Sequence, residues 1–152
     1  DGSLSGRGRL MAQSTILGDT GNGATITFAT SSYAAKVRSI DAWTESIDDL
    51  DVSTLDSTGF KRKIASDLKD AGNIKVNVLF DTFLAPPTIG GASETVTITF
   101  PIRTGETTAG NYAGTAFVKE FSYPQLANGT IQEASYVICW TGATGPAYTK
   151  ST

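Results

Sequence analysis

The stretch VSTLDSTGFKRKIASDLKDAGNIKVNVLFD, residues Val52 to Asp81, carries two periodicities that meet at Gly72. After Gly72, the apolar Ile74, Val76, Val78 and Phe80 alternate with Asn73, Lys75, Asn77 and Leu79, which is the period of a strand with one buried face. Before it, Phe60, Ile64 and Leu68 recur at i, i+4 and i+8 and read as the apolar stripe of a short helix stopped by Gly72. Ser57 or Thr58 is expected to cap that helix, its hydroxyl accepting a backbone N–H that has no partner inside the helix.

Outward from this stretch the chain reads as β-structure. Alternation predicts strands over about 24–29, 35–44, 94–102, 114–123 and 130–141. In the second of these, Val37 and Ile40 have opposite parity and are expected on opposite faces, as in a mixed edge strand or a subunit boundary. Asn128-Gly129 is a strong hairpin signal, so the last two strands should pair antiparallel. Pro86-Pro87 forbids helix and central strand alike, leaving Phe83, Leu84 and Ile89 in a loop that either folds back or meets a partner. Pro101 places the end of the 94–102 strand at an edge.

A chain of 152 residues fits one core, since a domain this size buries roughly two thirds of its unfolded surface. We expect a Gly/Ser-rich N-terminal arm over 1–23, with a short strand at Leu10–Leu17, a single β domain over 24–145, and a loose polar tail over 146–152. The 39% hydrophobic and 18% charged content leaves room for much Thr, Ser and Gly, which favours strands and turns. The predicted fold is mainly β with α+β flavour: an antiparallel β-sandwich or partial barrel with one short helix and long loops.

The same totals exclude much chemistry. With no histidine and one cysteine, a Cys/His zinc site, a His-dependent triad and an internal disulfide framework are out of reach. Cys139 reads as a small buried side chain. A net charge of −3 gives no general positive field for nucleic acid, and no apolar run reaches the roughly 18 to 20 residues of a membrane helix. The acidic run Asp41, Glu45, Asp48, Asp49, Asp51, Asp56 lacks the order of a calcium loop and reads as a solvated face or an interface. Asp56-Ser57-Thr58-Gly59 only superficially resembles an aspartic-protease loop, and the glycines of 103–113 lack the Lys and following helix of a phosphate loop. No catalytic, cofactor or metal site is expected.

The arrangement LDSTGFKRKIASDLKDAGNIKVNVLFD resembles the signature segment of the major tail tube proteins of long-tailed bacteriophages. It matches in Leu55-Asp56-Ser57, in Phe60, in Leu68-Lys69-Asp70-Ala71-Gly72 and in the strand Ile74 to Asp81. AGTAFVKEFSYPQLANGTIQEASYVICWTG is similar to that family's final hairpin, while Pro86-Pro87 and Gly90-Gly91 stand where relatives often place a helix.

The resemblance implies a non-enzymatic virion protein that forms hexameric rings, stacked into a tube through which DNA passes without binding. It implies assembly in the host cytoplasm and contacts with tail terminator, baseplate or tip, and tape-measure proteins, but not with membrane. Edge strands of one subunit would be completed by neighbours in an inter-subunit barrel. Interface candidates are then Asp48, Asp49, Asp51, Asp56, Ser57, Lys61, Arg62, Lys63, Phe83 and Leu84, with Lys61–Lys63 expected opposite Asp48–Asp51 of an adjacent subunit. Lumen-facing candidates are Asp41, Glu45 and Glu133. Rival readings are a capsid-decoration protein and a monomeric carbohydrate-binding or adhesion sandwich that stacks sugars on exposed Trp43, Tyr112 and Tyr148.

Overall fold

A computed structural model describes residues 20–152, and the strand expected at Leu10–Leu17 lies outside them. The described chain forms β1 (Thr25–Phe28), β2 (Val37–Ile40), β3 (Ser46–Asp51), β4 (Lys63–Asp70), β5 (Asn73–Leu79), β6 (Glu94–Thr99), β7 (Asn111–Ser122), β8 (Glu133–Trp140) and β9 (Ala147–Thr149). The antiparallel, mainly β class stands, and the sheets do not close into a barrel.

Six strands run in the order β1-β6-β7-β8-β5-β2, and β9 pairs with β7 beyond the end of β8. Because Asn111–Ala113 pair with β6 on one side and β9 on the other, β8 and β9 share one lane along β7. The loop between them presses on β7: a Cβ at Gly114 would lie 2.6 Å from the Pro146 Cα, so only glycine fits there. β1 pairs only with β6 and β2 only with β5, so the sheet keeps two open outer edges.

Alternation decides which side chains form the core. Ile74, Val76 and Val78 of β5, Val96 and Ile98 of β6, and Tyr136 and Ile138 of β8 are buried, each aliphatic contributing roughly 1.5–3 kcal/mol. Two ring clusters close the ends of this core. Phe28, Tyr33, Phe121 and Tyr136 pack at one end, with centroids 5.8 to 6.5 Å apart. Trp43, Phe100, Tyr112 and Trp140 pack at the other, 5.4 to 6.1 Å apart. On the opposite face of the sheet, Thr25, Thr27 and Thr95 are exposed, and Thr97, Thr99 and Thr115 half-buried.

Four expectations are corrected. The stretch expected as a helix from Phe60 to Leu68 is a loop followed by β4, and no helix occurs among the described residues. Val37 and Ile40 both pack on the core, because a bulge at Arg38 adds one residue to β2 and restores their common face. β6 lies between β1 and β7, so Pro101 follows an interior strand. The expected loose tail instead supplies β9, and its last residue exchanges backbone hydrogen bonds with Thr108. The predicted β7–β8 hairpin is present, with Gly129 at φ +78° in its turn, and Cys139 is half-buried on the outward face of β8.

Candidate assembly surface

Between Trp43 and Gly72 the chain leaves the main sheet and builds a separate two-stranded ribbon from β3 and β4. Leu50 lies opposite Ile64 and Asp51 opposite Lys63. Between Ile47 and Asp49 the register slips, leaving Ser66, Asp67 and Leu68 of β4 against Asp48. The connecting loop is held by short-range bonds. Asp51 Oδ1 accepts from the Ser53 N–H at 2.9 Å, which holds its carboxyl below the usual carboxylate range. Ser53 Oγ accepts from the Arg62 N–H at 2.8 Å. Ser57 Oγ accepts from the Thr54 N–H at 2.9 Å, so the expected helix cap closes a loop turn.

This ribbon is clothed on neither side. Leu50 is 49% exposed, Ile64 53%, Leu68 83% and Phe60 95%, so the stripe read as a core-facing helix stands in solvent. A lone hairpin is marginally stable in water, and exposed apolar side chains gathered on one make the ribbon the candidate interaction surface.

The base of the ribbon is firmly seated. Trp43, just before β3, packs at a tilt against Phe100 and Tyr112. The Tyr112 hydroxyl donates to Glu45 Oε2, and burial together with that carboxylate pushes the phenol pKa well above its ordinary value, so it stays a donor. Across the base, Asp70 Oδ1 accepts from the Gly72 N–H at 2.9 Å. Gly72 itself has φ +69°, and a Cβ there would stand 3.3 Å from the Thr44 carbonyl oxygen. Both strands thus enter and leave at one point.

The structure gathers Asp48, Asp49, Asp51, Asp56, Ser57, Lys61, Arg62 and Lys63 into this single ribbon and its loop. It also pairs the acidic and basic runs within one chain, with Lys63 Nζ 3.1 Å from Asp49 Oδ2. Phe83 and Leu84 part company: Phe83 is 96% exposed, while Leu84 packs on the core.

Of the lumen candidates, Glu45 is the ribbon's anchor to Tyr112. Asp41 accepts from Asn77 Nδ2 at 3.0 Å, and Glu133 lies 3.6 Å from Arg38 Nε. Of the three rings named for a sugar platform, Tyr112 is buried and Trp43 is wedged among rings, leaving only Tyr148 exposed. Sequence reasoning did not single out Leu50, Val52, Leu55 and Ile64 as exposed apolar residues. The available signal was that these apolar residues share a segment with six nearby carboxylates, Asp48 to Asp70, a composition ill suited to a core.

No protein-family model matches the chain, and no curated protein matches it. Among solved structures, it is similar to a chain of an extracellular contractile injection system, the PVC sheath/tube terminator in its extended state. That match has a TM-score of 0.63 at 10% identity and covers 89% of this chain and 97% of the other. Hcp1 from Flavobacterium johnsoniae aligns with a TM-score of 0.43 at 13% identity, over 84% and 98% of the two chains. What the first match establishes is a shared fold, spanning nearly the whole of both chains.

Proposed function

We propose that the protein is a structural subunit that polymerises through its own copies into a tail-type tube, built as stacked hexameric rings and serving as a conduit for DNA. The free-standing β3–β4 ribbon carries this reading: it exposes Leu50, Ile64 and Phe60 on a protein whose main sheet is otherwise well packed. The open edges of β1 and β2 support it, because pairing them between neighbours would remove both edges in a closed ring. Sequence resemblance and the fold of the terminator chain point the same way.

In this reading the threonine-rich outward face lines the bore, where Asp41 and Glu133 offset the cations of Arg38 and Lys75, so that phosphates slide without the counterion release that would hold them. The subunit would assemble in the host cytoplasm, reside in the virion tail, and meet terminator, baseplate or tip, and tape-measure proteins. No group in it performs catalysis. The terminator match favours a second reading, a component that ends a tube in a contractile injection apparatus. Negative-stain microscopy of the concentrated protein separates the two. Hollow filaments of indefinite length support the tube, isolated rings support the terminator, and monomers at every concentration overturn both.

A further inference from the structure

The ribbon meets the body only at its base, and a lever attached at one point needs something to fix its angle. The Tyr112 hydroxyl joins the start of the ribbon to the main sheet, donating to Glu45 Oε2 and also meeting the Trp43 side chain in a hydrogen bond. The remaining side-chain bonds and the ion pair of β3 and β4 stay within the ribbon, its loop or the turn at Gly72.

Tyr112 is well placed to set an angle. Its ring is 4% exposed and wedged between Trp43, 5.4 Å away, and Trp140, 5.5 Å away, so its hydroxyl cannot wander. Its backbone lies in the middle of the sheet, paired with Ile98 on one side and Tyr148 on the other. Glu45 sits one residue before β3, where the chain has left the sheet but ribbon pairing has not begun. A strand rises about 3.3 Å per residue, so a ribbon of this length reaches roughly 20 Å, and a 10° swing at the base would carry its tip about 3 to 4 Å. That is far beyond the tolerance of a packed interface.

We propose that Glu45 and Tyr112 form a latch that holds the β3–β4 ribbon at one angle to the main sheet, making both positioning residues for self-assembly. For its consequence the proposal rests on the reading of the ribbon as an assembly arm; for its geometry it does not. Bound to Tyr112, the carboxylate ties the first turn of chain beyond Trp43 to the rigid centre of the sheet. Released, it leaves the Thr44 and Gly72 backbones as a hinge.

The test uses the dilute, full-length chain with spin labels at Thr58→Cys on the ribbon loop and Thr95→Cys on the outward face of β6, in a Cys139→Ala background. Pulsed dipolar spectroscopy should give one narrow distance distribution. Tyr112→Phe, which keeps the ring and removes the donor, and Glu45→Ala should each broaden it at least twofold, whereas Glu45→Gln, whose amide oxygen still accepts, should keep it narrow.

A Tyr112→Phe distribution as narrow as the parent overturns the latch. Should that variant fail to fold, Glu45→Ala leaves every buried ring in place and decides alone. Assembly of the same variants without labels separates the two readings. Broadened distances with undiminished assembly uphold the latch and overturn the assembly arm. Unchanged distances overturn the latch whatever happens to assembly.

Discussion

At the scale of the residue, Phe60 and Ile74 show how far sequence and environment can diverge within one stretch. Phe60, Ile64 and Leu68 are four apart, and four is both near a helical turn and a multiple of two, so their spacing fits one face of either a helix or a strand. Local pattern could not choose between them. The choice is made by β3, a partner more than ten residues away that offers its backbone to β4. Ile74 carried no such ambiguity, since three further alternations follow it.

The energetic consequence is opposite for the two. Ile74 is fully buried, so Ile74→Ala should destabilise the dilute monomer by about 2–5 kcal/mol. Phe60→Ala, at a side chain 95% exposed, should stay within about 0.5 kcal/mol of the parent. Urea unfolding of both variants checks this, and a Phe60→Ala loss comparable with that of Ile74→Ala would mean that the ribbon loop folds back on the body.

At the scale of the element, the strands that proved legible bury one face against their neighbours, so composition and structure share a period. β5, β6 and β8 are such cases. β2 hid its register behind the bulge at Arg38, and β9 hid because three residues, Ala147–Thr149, are too few to show a period.

β9 is seated by its Tyr148 ring, edge-on to Phe100 at 5.8 Å, and by polar bonds just beyond it. Glu106 accepts from the Arg103 N–H at 2.9 Å and from Ser151 Oγ at 2.8 Å, and its carboxyl is held below the usual range chiefly by the Arg103 backbone N–H, then by Ser151 and by the nearby guanidinium. A carboxyl whose pKa is depressed on folding stabilises the folded state fully above its unfolded value near 4.5. That contribution is lost as pH falls through the folded value. The C-terminal strand should therefore loosen on acidification below about pH 4.5, and Glu106→Gln should flatten that part of the stability profile. Melting temperatures of parent and variant from pH 3 to 7 check the expectation, and parallel profiles would place the acid sensitivity elsewhere.

At the scale of the whole molecule, the body and the ribbon obey different rules. The body's core is closed by rings at both ends and its last residues are tied back, leaving the outer edges of β1 and β2 open. The ribbon has no such closure, and in the proposed assembly what covers it would decide how copies associate. The sequence pointed to charge, with an acidic run facing a basic cluster across a subunit boundary. The structure satisfies part of that charge internally, through Lys63 and Asp49, and an exposed pair of this kind is worth only about 0–1 kcal/mol. The apolar residues are what remain unspent. Leu50 lies opposite Ile64, with Val52 beside Arg62 one step further along, a short apolar row on a ribbon otherwise rich in charge.

If that row drives association, assembly should survive 1 M salt, where the screening length is about 3 Å and exposed ion pairs have lost their reach. The double variant Leu50→Asp/Ile64→Asp should then stay monomeric at concentrations where the parent assembles. Its body should unfold within about 0.5 kcal/mol of the parent, since neither side chain enters the main core. Light scattering across salt for both proteins decides it: dissolution of the parent assemblies by salt, or unimpaired assembly of the double variant, would return the interface to the charges.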